Sequence, residues 1–176
     1  VESNKQVTMK QIILICLTLV SLLFNTALAA DLSKLVILHT NDTHGYDEKA
    51  KGILGMAAVS ALKQDYETQG FTVVLLDAGD AIEGNTLANY SEGKAAMEFM
   101  NACGYDAMTL GNHEFGYGQD VLLKRIKEAN FPVLSANISV KATGQNFVRD
   151  AVVITRNGYK LGIFGLTTPE TTTSIN

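Results

Sequence analysis

The sequence predicts an α/β domain, a β-sheet flanked by helices, and three observations carry that expectation. From Leu35 onward, short β-rich runs alternate with longer stretches of helical periodicity. The β-rich runs are apolar on both faces, as strands buried beneath helices must be. The chain has 176 residues, of which 47% are hydrophobic, enough for one domain with its own core.

The elements follow in order. Leu35–Leu38, Phe71–Leu76 and Ala107–Leu110 read as buried strands. Between and after them, Ile53–Gln69, Gly93–Cys103 and Val121–Ala129 carry helix-period apolar positions. Val148–Thr155 and Lys160–Gly165 flank Asn157-Gly158, a pair that tolerates the positive φ of a tight hairpin, and so predict two antiparallel strands. No linker or internal repeat interrupts this pattern. The Thr-rich stretch from Thr167 to Thr173 falls where such a domain should still be closing its sheet, and this predicts a truncated sequence.

The first thirty residues belong to a different class. Lys5 and Lys10 precede an apolar run from Ile12 to Phe24, and Ala27-Leu28-Ala29 follows as small-x-small, the three-part pattern of a secretory signal peptide. The run is about 13 residues, roughly 20 Å as a helix, short of the ~30 Å of a bilayer core. Residues 1–29 are therefore expected to be a cleaved signal, with Met9 as the natural start, and residues 30–176 the exported domain. Its destination is the periplasm or the extracellular space, with no stable membrane span after cleavage. Within residues 30–176 Cys103 is the one cysteine, so no internal disulfide can form there; it reads as a small buried hydrophobe.

Charge narrows the partners. With 14 Lys+Arg against 18 Asp+Glu the net charge is −4, which argues against a nucleic-acid polymer, whose phosphates are held by clustered basic residues. The group Lys124, Arg125 and Lys127 reads as the solvated face of a helix.

The chemistry collects at three strand ends. His39-Thr-Asn-Asp42-Thr-His44-Gly45 follows the first, Asp77-Ala-Gly79-Asp80 the second, and Gly111-Asn112-His113-Glu114-Phe115 the third. The C-terminal ends of parallel strands are where open α/β sheets bind ligands. Carboxylates mixed with imidazoles suit zinc, manganese, iron or cobalt better than calcium or magnesium alone. A carboxylate between two such loops can bridge two cations, the arrangement used on phosphate esters.

These residues carry a resemblance. Ile37-Leu-His-Thr-Asn-Asp-Thr-His-Gly45, Asp77-Ala-Gly-Asp80 and Leu110-Gly-Asn-His-Glu-Phe115 resemble the 5'-nucleotidases of the calcineurin-like metallophosphoesterase superfamily, as do Leu134-Ser-Ala-Asn-Ile138 and Gly165-Leu-Thr-Thr-Pro-Glu170. The resemblance implies a sandwich of mixed β-sheets flanked by helices, incomplete here at its C-terminus. It implies two divalent metal ions, zinc, manganese or similar. Asp42 and His44 would bind the first, Asp80 would bridge, and Asn112 would bind the second. Asn112 and His113 would face the substrate, with His113 the catalytic residue that contacts phosphate. The implied reaction splits a 5'-nucleotide into nucleoside and phosphate. Divalent cations suit it because they lower the pKa of a bound water from about 15.7 toward about 7.

Two departures qualify the match. Members of the family have an acidic residue directly after Asn-His-Glu-Phe that orients the histidine, and here that position is Gly116, with Glu114 and Asp120 as nearby substitutes. A slower enzyme is expected, which Gly116→Asp would speed. Members also draw further ligands from Gly-His and Gly-His-x-His segments, whereas this chain has only His39, His44 and His113, so the 176 residues alone are expected to bind metal weakly and turn over little. The competing expectations are a noncatalytic metal- or nucleotide-binding remnant, or a related hydrolase of 2',3'-cyclic nucleotides or nucleotide sugars. His39 and Asp77 read as structural, Asp77 by holding the loop before Gly79. Glu114 reads as structural or surface at least as readily as catalytic.

Overall fold

The structure is a computed structural model that describes residues 34–46, 52 and 54–171. The proposed signal segment lies outside the described residues, as does Ile53 at the expected start of the first helix.

Four parallel strands form the main sheet, β1 (Leu35–Thr40), β2 (Thr72–Asp77), β3 (Ala107–Thr109) and β4 (Val133–Leu134), paired in that order. The register sets Leu35 against Thr72 and Thr40 against Asp77, so both strands end level. Helices α1 (Met56–Thr68), α2 (Thr86–Tyr90), α3 (Lys94–Cys103) and α4 (Gln119–Glu128) occupy the crossovers. With neighbouring strands paired in chain order, right-handed crossovers put these helices in one layer, and α3 indeed packs on α1, α2 and α4.

The core lies beneath this layer. Met97 and Met100 of α3 and Leu122 of α4 meet Leu75, Met108 and Val133 of the sheet, all nearly inaccessible to water. Gly104, in left-handed conformation, ends α3 after Cys103, which is buried with its thiol 3.4 Å from the Met56 carbonyl. The expected helices and hairpin are present. Strand β4, two residues long, and the short α2 were not expected. Arg125 departs from the expected solvated face: it is buried on the inner side of α4, 3.2 Å from Glu128.

The hairpin β5 (Ala151–Arg156) and β6 (Tyr159–Phe164) turns at Asn157-Gly158 as the sequence predicts, with both residues at positive φ. It is tied to the main sheet by Arg156, which pairs with buried Asp106, while Asp106 also accepts the Leu75 amide. The result is the expected α/β class, a parallel sheet with helices plus an antiparallel hairpin.

Candidate metal centre

The site is built from three loops that leave the level ends of β1, β2 and β3. The first two are laced by main-chain hydrogen bonds: the amides of Asp42, His44 and Gly45 donate to the carbonyls of Gly79, Asp80 and Ala81 at 2.8–2.9 Å. The third loop approaches as closely because two glycines let it. A Cβ on Gly79, whose φ is +100°, would fall 2.5 Å from the Gly111 nitrogen, and one on Gly111 would fall 2.7 Å from the Asp80 nitrogen.

Two buried carboxylates form the floor. Asp77 accepts the Gly79 amide at 2.8 Å and the Thr40 hydroxyl at 2.6 Å, and Thr40 is also bonded to the Tyr105 hydroxyl at 2.7 Å. Burial pushes the Asp77 carboxyl up to about 7, against the pull of those two hydrogen bonds. Glu114 accepts the amides of Asp80, Ala81 and Gly111 at 2.6–2.8 Å, sewing the second loop to the third. Burial raises its carboxyl as well, opposed by the same amides. The structural reading of Asp77 holds, and Glu114 takes the structural role.

Above the floor sit the residues that the sequence singles out. His44, Asp80 and His113, from three different strand ends, each offer a ligand atom within 4.8 Å of the others. The two imidazole rings meet edge to face at 4.7 Å. Asp42, which is exposed, lies 3.9 Å from His44 Nε2. Asp42, His44 and Asp80 all take left-handed backbone angles, φ +52°, +48° and +59°. Such conformations cost energy in a non-glycine residue and gather at ligand sites. Asn112 opens the 3₁₀ turn His113–Phe115, and the His113 amide donates to Asp80 Oδ1 at 2.8 Å. His39 is exposed on β1, outside this cluster, so the expectation of a packed, structural histidine is corrected.

The remaining two motif segments brace the third loop. Asn137 and Thr167 exchange hydrogen bonds, side-chain amide to carbonyl at 2.7 Å and main-chain amide to side-chain oxygen at 2.9 Å. The Thr167 hydroxyl then donates to the Leu110 carbonyl at 2.7 Å, directly before Gly111.

The donor set fits a divalent cation. His44 Nδ1 lies 2.9 Å from the Glu83 carbonyl, which can only accept, so the proton sits on Nδ1 and the Nε2 lone pair is left for a metal. One group was missed in the sequence. Glu83 Oε2 lies 3.2 Å from His113 Nδ1, so the expectation that Gly116 leaves this histidine without a carboxylate is corrected. Glu114 is not the substitute, because its oxygens serve the loop amides. The only signal for Glu83 was the missing acid at 116, which asked for a carboxylate from another loop.

A parallel sheet with an oxygen-and-imidazole cluster on its C-terminal rim defines the class, and the chain belongs to the calcineurin-like phosphoesterase family, whose model it matches over residues 35–172. Within that family, a 5'-nucleotidase of Vibrio cholerae serotype O1 is 43% identical over 143 residues, covering 78% of this chain and 26% of the relative. Protein UshA of Escherichia coli K12 is 37% identical over 163 residues, covering 88% and 30%. The crystal structure of a 5'-nucleotidase precursor from Thermus thermophilus superposes with a TM-score of 0.72 at 35% identity, covering 79% and 29%. This chain thus spans between a quarter and a third of the length of these relatives.

Proposed function

We propose that the protein is a two-metal phosphoesterase that hydrolyses 5'-nucleotides to nucleoside and phosphate, and that residues 30–176 are the N-terminal part of its catalytic domain. The observation that carries this reading is the convergence of His44, Asp80 and His113 from three strand ends to within 4.8 Å. The names of the relatives supply the substrate class.

In this reading Asp42 and His44 would hold one cation and Asn112 the second through its amide oxygen, with Asp80 as a ligand shared by both. When bound, the cations supply Lewis acidity and offset the charge of the phosphoryl group in the transition state. The protein's part is to keep the ligands in place before substrate arrives. Hydrogen bonds from the His44 and Asp42 amides fix the first loop on the second, and Glu114 fixes the second on the third. His113, its Nδ1 turned to Glu83, directs its other nitrogen toward a phosphoryl oxygen. Neither a serine nor a cysteine nucleophile is required, and Cys103 is buried at the end of α3. The protein is exported by residues 1–29 and acts outside the cytoplasm.

The test uses the protein expressed from its full reading frame. Phosphate release from AMP should appear with Mn²⁺ or Zn²⁺, vanish with EDTA and return on adding metal. Binding of AMP without phosphate release under any of these metals would overturn the proposal in favour of a noncatalytic module. N-terminal sequencing of the exported protein should begin at Ala30 or Asp31.

A further inference from the structure

Glu83 stands in the loop after β2, outside every motif that the sequence singles out, yet it touches both histidines of the site. Its carbonyl accepts a hydrogen bond from His44 Nδ1 at 2.9 Å and its carboxylate lies 3.2 Å from His113 Nδ1. The side chain is 30% exposed, so it is neither a core group nor a free surface acid.

Gly116 explains why the carboxylate can be there. A Cβ built on Gly116 would fall 1.9 Å from Glu83 Oε2 and 2.3 Å from its Cδ. The Glu83 carboxylate and any side chain at position 116 therefore compete for one volume. We propose that Glu83 is the positioning residue for His113, supplying from the loop after β2 the carboxylate that the glycine at 116 cannot. The proposal rests on the reading above in that His113 acts on the substrate.

The surrounding contacts hold Glu83 in place. Gly84 and Asn89 exchange two hydrogen bonds of 3.0 Å, and the Tyr117 hydroxyl donates to Asn89 Oδ1 at 2.6 Å. The Asn85 amide donates to the His44 carbonyl at 2.8 Å. A carboxylate only accepts, so the neutral His113 ring keeps its proton on Nδ1, and the ring is fixed in both tautomer and orientation. The division between main chain and side chain makes the idea testable. Truncating the side chain removes the partner of His113 and leaves the partner of His44.

The experiment compares wild type, Glu83→Ala, and Glu83→Ala with Gly116→Asp, each expressed from the full reading frame. For Glu83→Ala, kcat for AMP should fall about 10–100-fold, the usual cost of losing the partner that orients a site histidine, while Mn²⁺ affinity stays within about twofold. The double variant should recover most of the loss, since the new carboxylate enters the vacated volume. Nitrogen-15 shifts of the His113 ring in metal-free protein should report the Nδ1–H tautomer in wild type, a mixture in Glu83→Ala, and Nδ1–H again in the double variant. An unchanged kcat and tautomer in Glu83→Ala would overturn the proposal, as would a loss accompanied by weakened Mn²⁺ binding and no rescue, which marks a merely structural role. If wild type hydrolyses nothing, the proposed function fails, and the tautomer measurement alone decides the place of Glu83.

Discussion

Asp77 and Asp80 leave the same strand end on one short loop, but Asp77 belongs to the floor of the site and Asp80 to its rim. Asp77 is buried, with both oxygens taken by groups of the protein itself, the Gly79 amide and the Thr40 hydroxyl. Asp80 is partly exposed, stands at φ +59°, and lies within reach of two imidazoles. The same contrast separates Glu114 from Asp42: Glu114 is buried and spends its carboxylate on three loop amides, whereas Asp42 is exposed beside His44. Floor carboxylates are satisfied from within and give shape. Rim carboxylates are held by their backbones and keep charge available for a cation. Residue type alone does not decide which role an acid takes; burial and the number of internal donors do.

Substitutions should separate the two layers. The largest effect is expected at the rim: Asp80→Ala should lower phosphate release from AMP by more than the ~10–100-fold typical of losing a ligand's outer partner, with the thermal melting of metal-free protein little changed. A loss of fold instead would move Asp80 into the floor. Glu114→Ala should do the reverse and unfold the protein more readily. Three loop amides lose their acceptor, that of Ala81 buried and those of Asp80 and Gly111 part-buried, and an unmet buried amide costs about 1–3 kcal/mol, so a loss of roughly 2 kcal/mol or more is expected in urea titrations.

Asp77 sharpens the contrast through pH. Its carboxyl sits at about 7 in the fold against an ordinary value of 3.8, so the folded protein binds this proton more tightly than the unfolded chain does. The stability it contributes is complete below about pH 4 and is lost as pH rises to about 7. Asp77→Asn cannot ionise and keeps an oxygen for the Gly79 amide. In metal-free protein its melting temperature should exceed that of wild type increasingly between pH 4 and 8, by the equivalent of roughly 4 kcal/mol at the upper end. Parallel melting curves would show that burial does not govern this group. The smallest effect is expected at His39, exposed on β1 outside the cluster, where His39→Gln should change kcat by less than about twofold.

The layers differ too in how far they can be read from sequence. The alternation of apolar runs showed the strands and the main helices, but the expected burial on both faces holds for β2 and not for β1, which has no buried residue and exposes Ile37. Asp42, His44, Asp80, Asn112 and His113 stood out because each follows a strand end and belongs to a short motif. Asp77 could be placed for a local reason, the glycine two residues on. Strand β4 was not legible, since two residues carry no period, and α2 is too short to show one. Arg125 sits among lysines that face water, and only the packing of α4 reveals that it turns inward. Glu83 was hidden most deeply. Its partner His113 is thirty residues away, and what joins them is the volume left open at Gly116, a property of the folded chain alone.

The central claim is that three strand-end loops bring their rim residues together as a divalent-metal centre. The most direct test is calorimetric titration of Mn²⁺ into EDTA-stripped protein from the full reading frame, wild type beside Asp80→Ala and His44→Ala. The account expects saturable binding in wild type that is weakened by both substitutions, with the fold retained. Equal binding in all three proteins, or none in wild type, would contradict it.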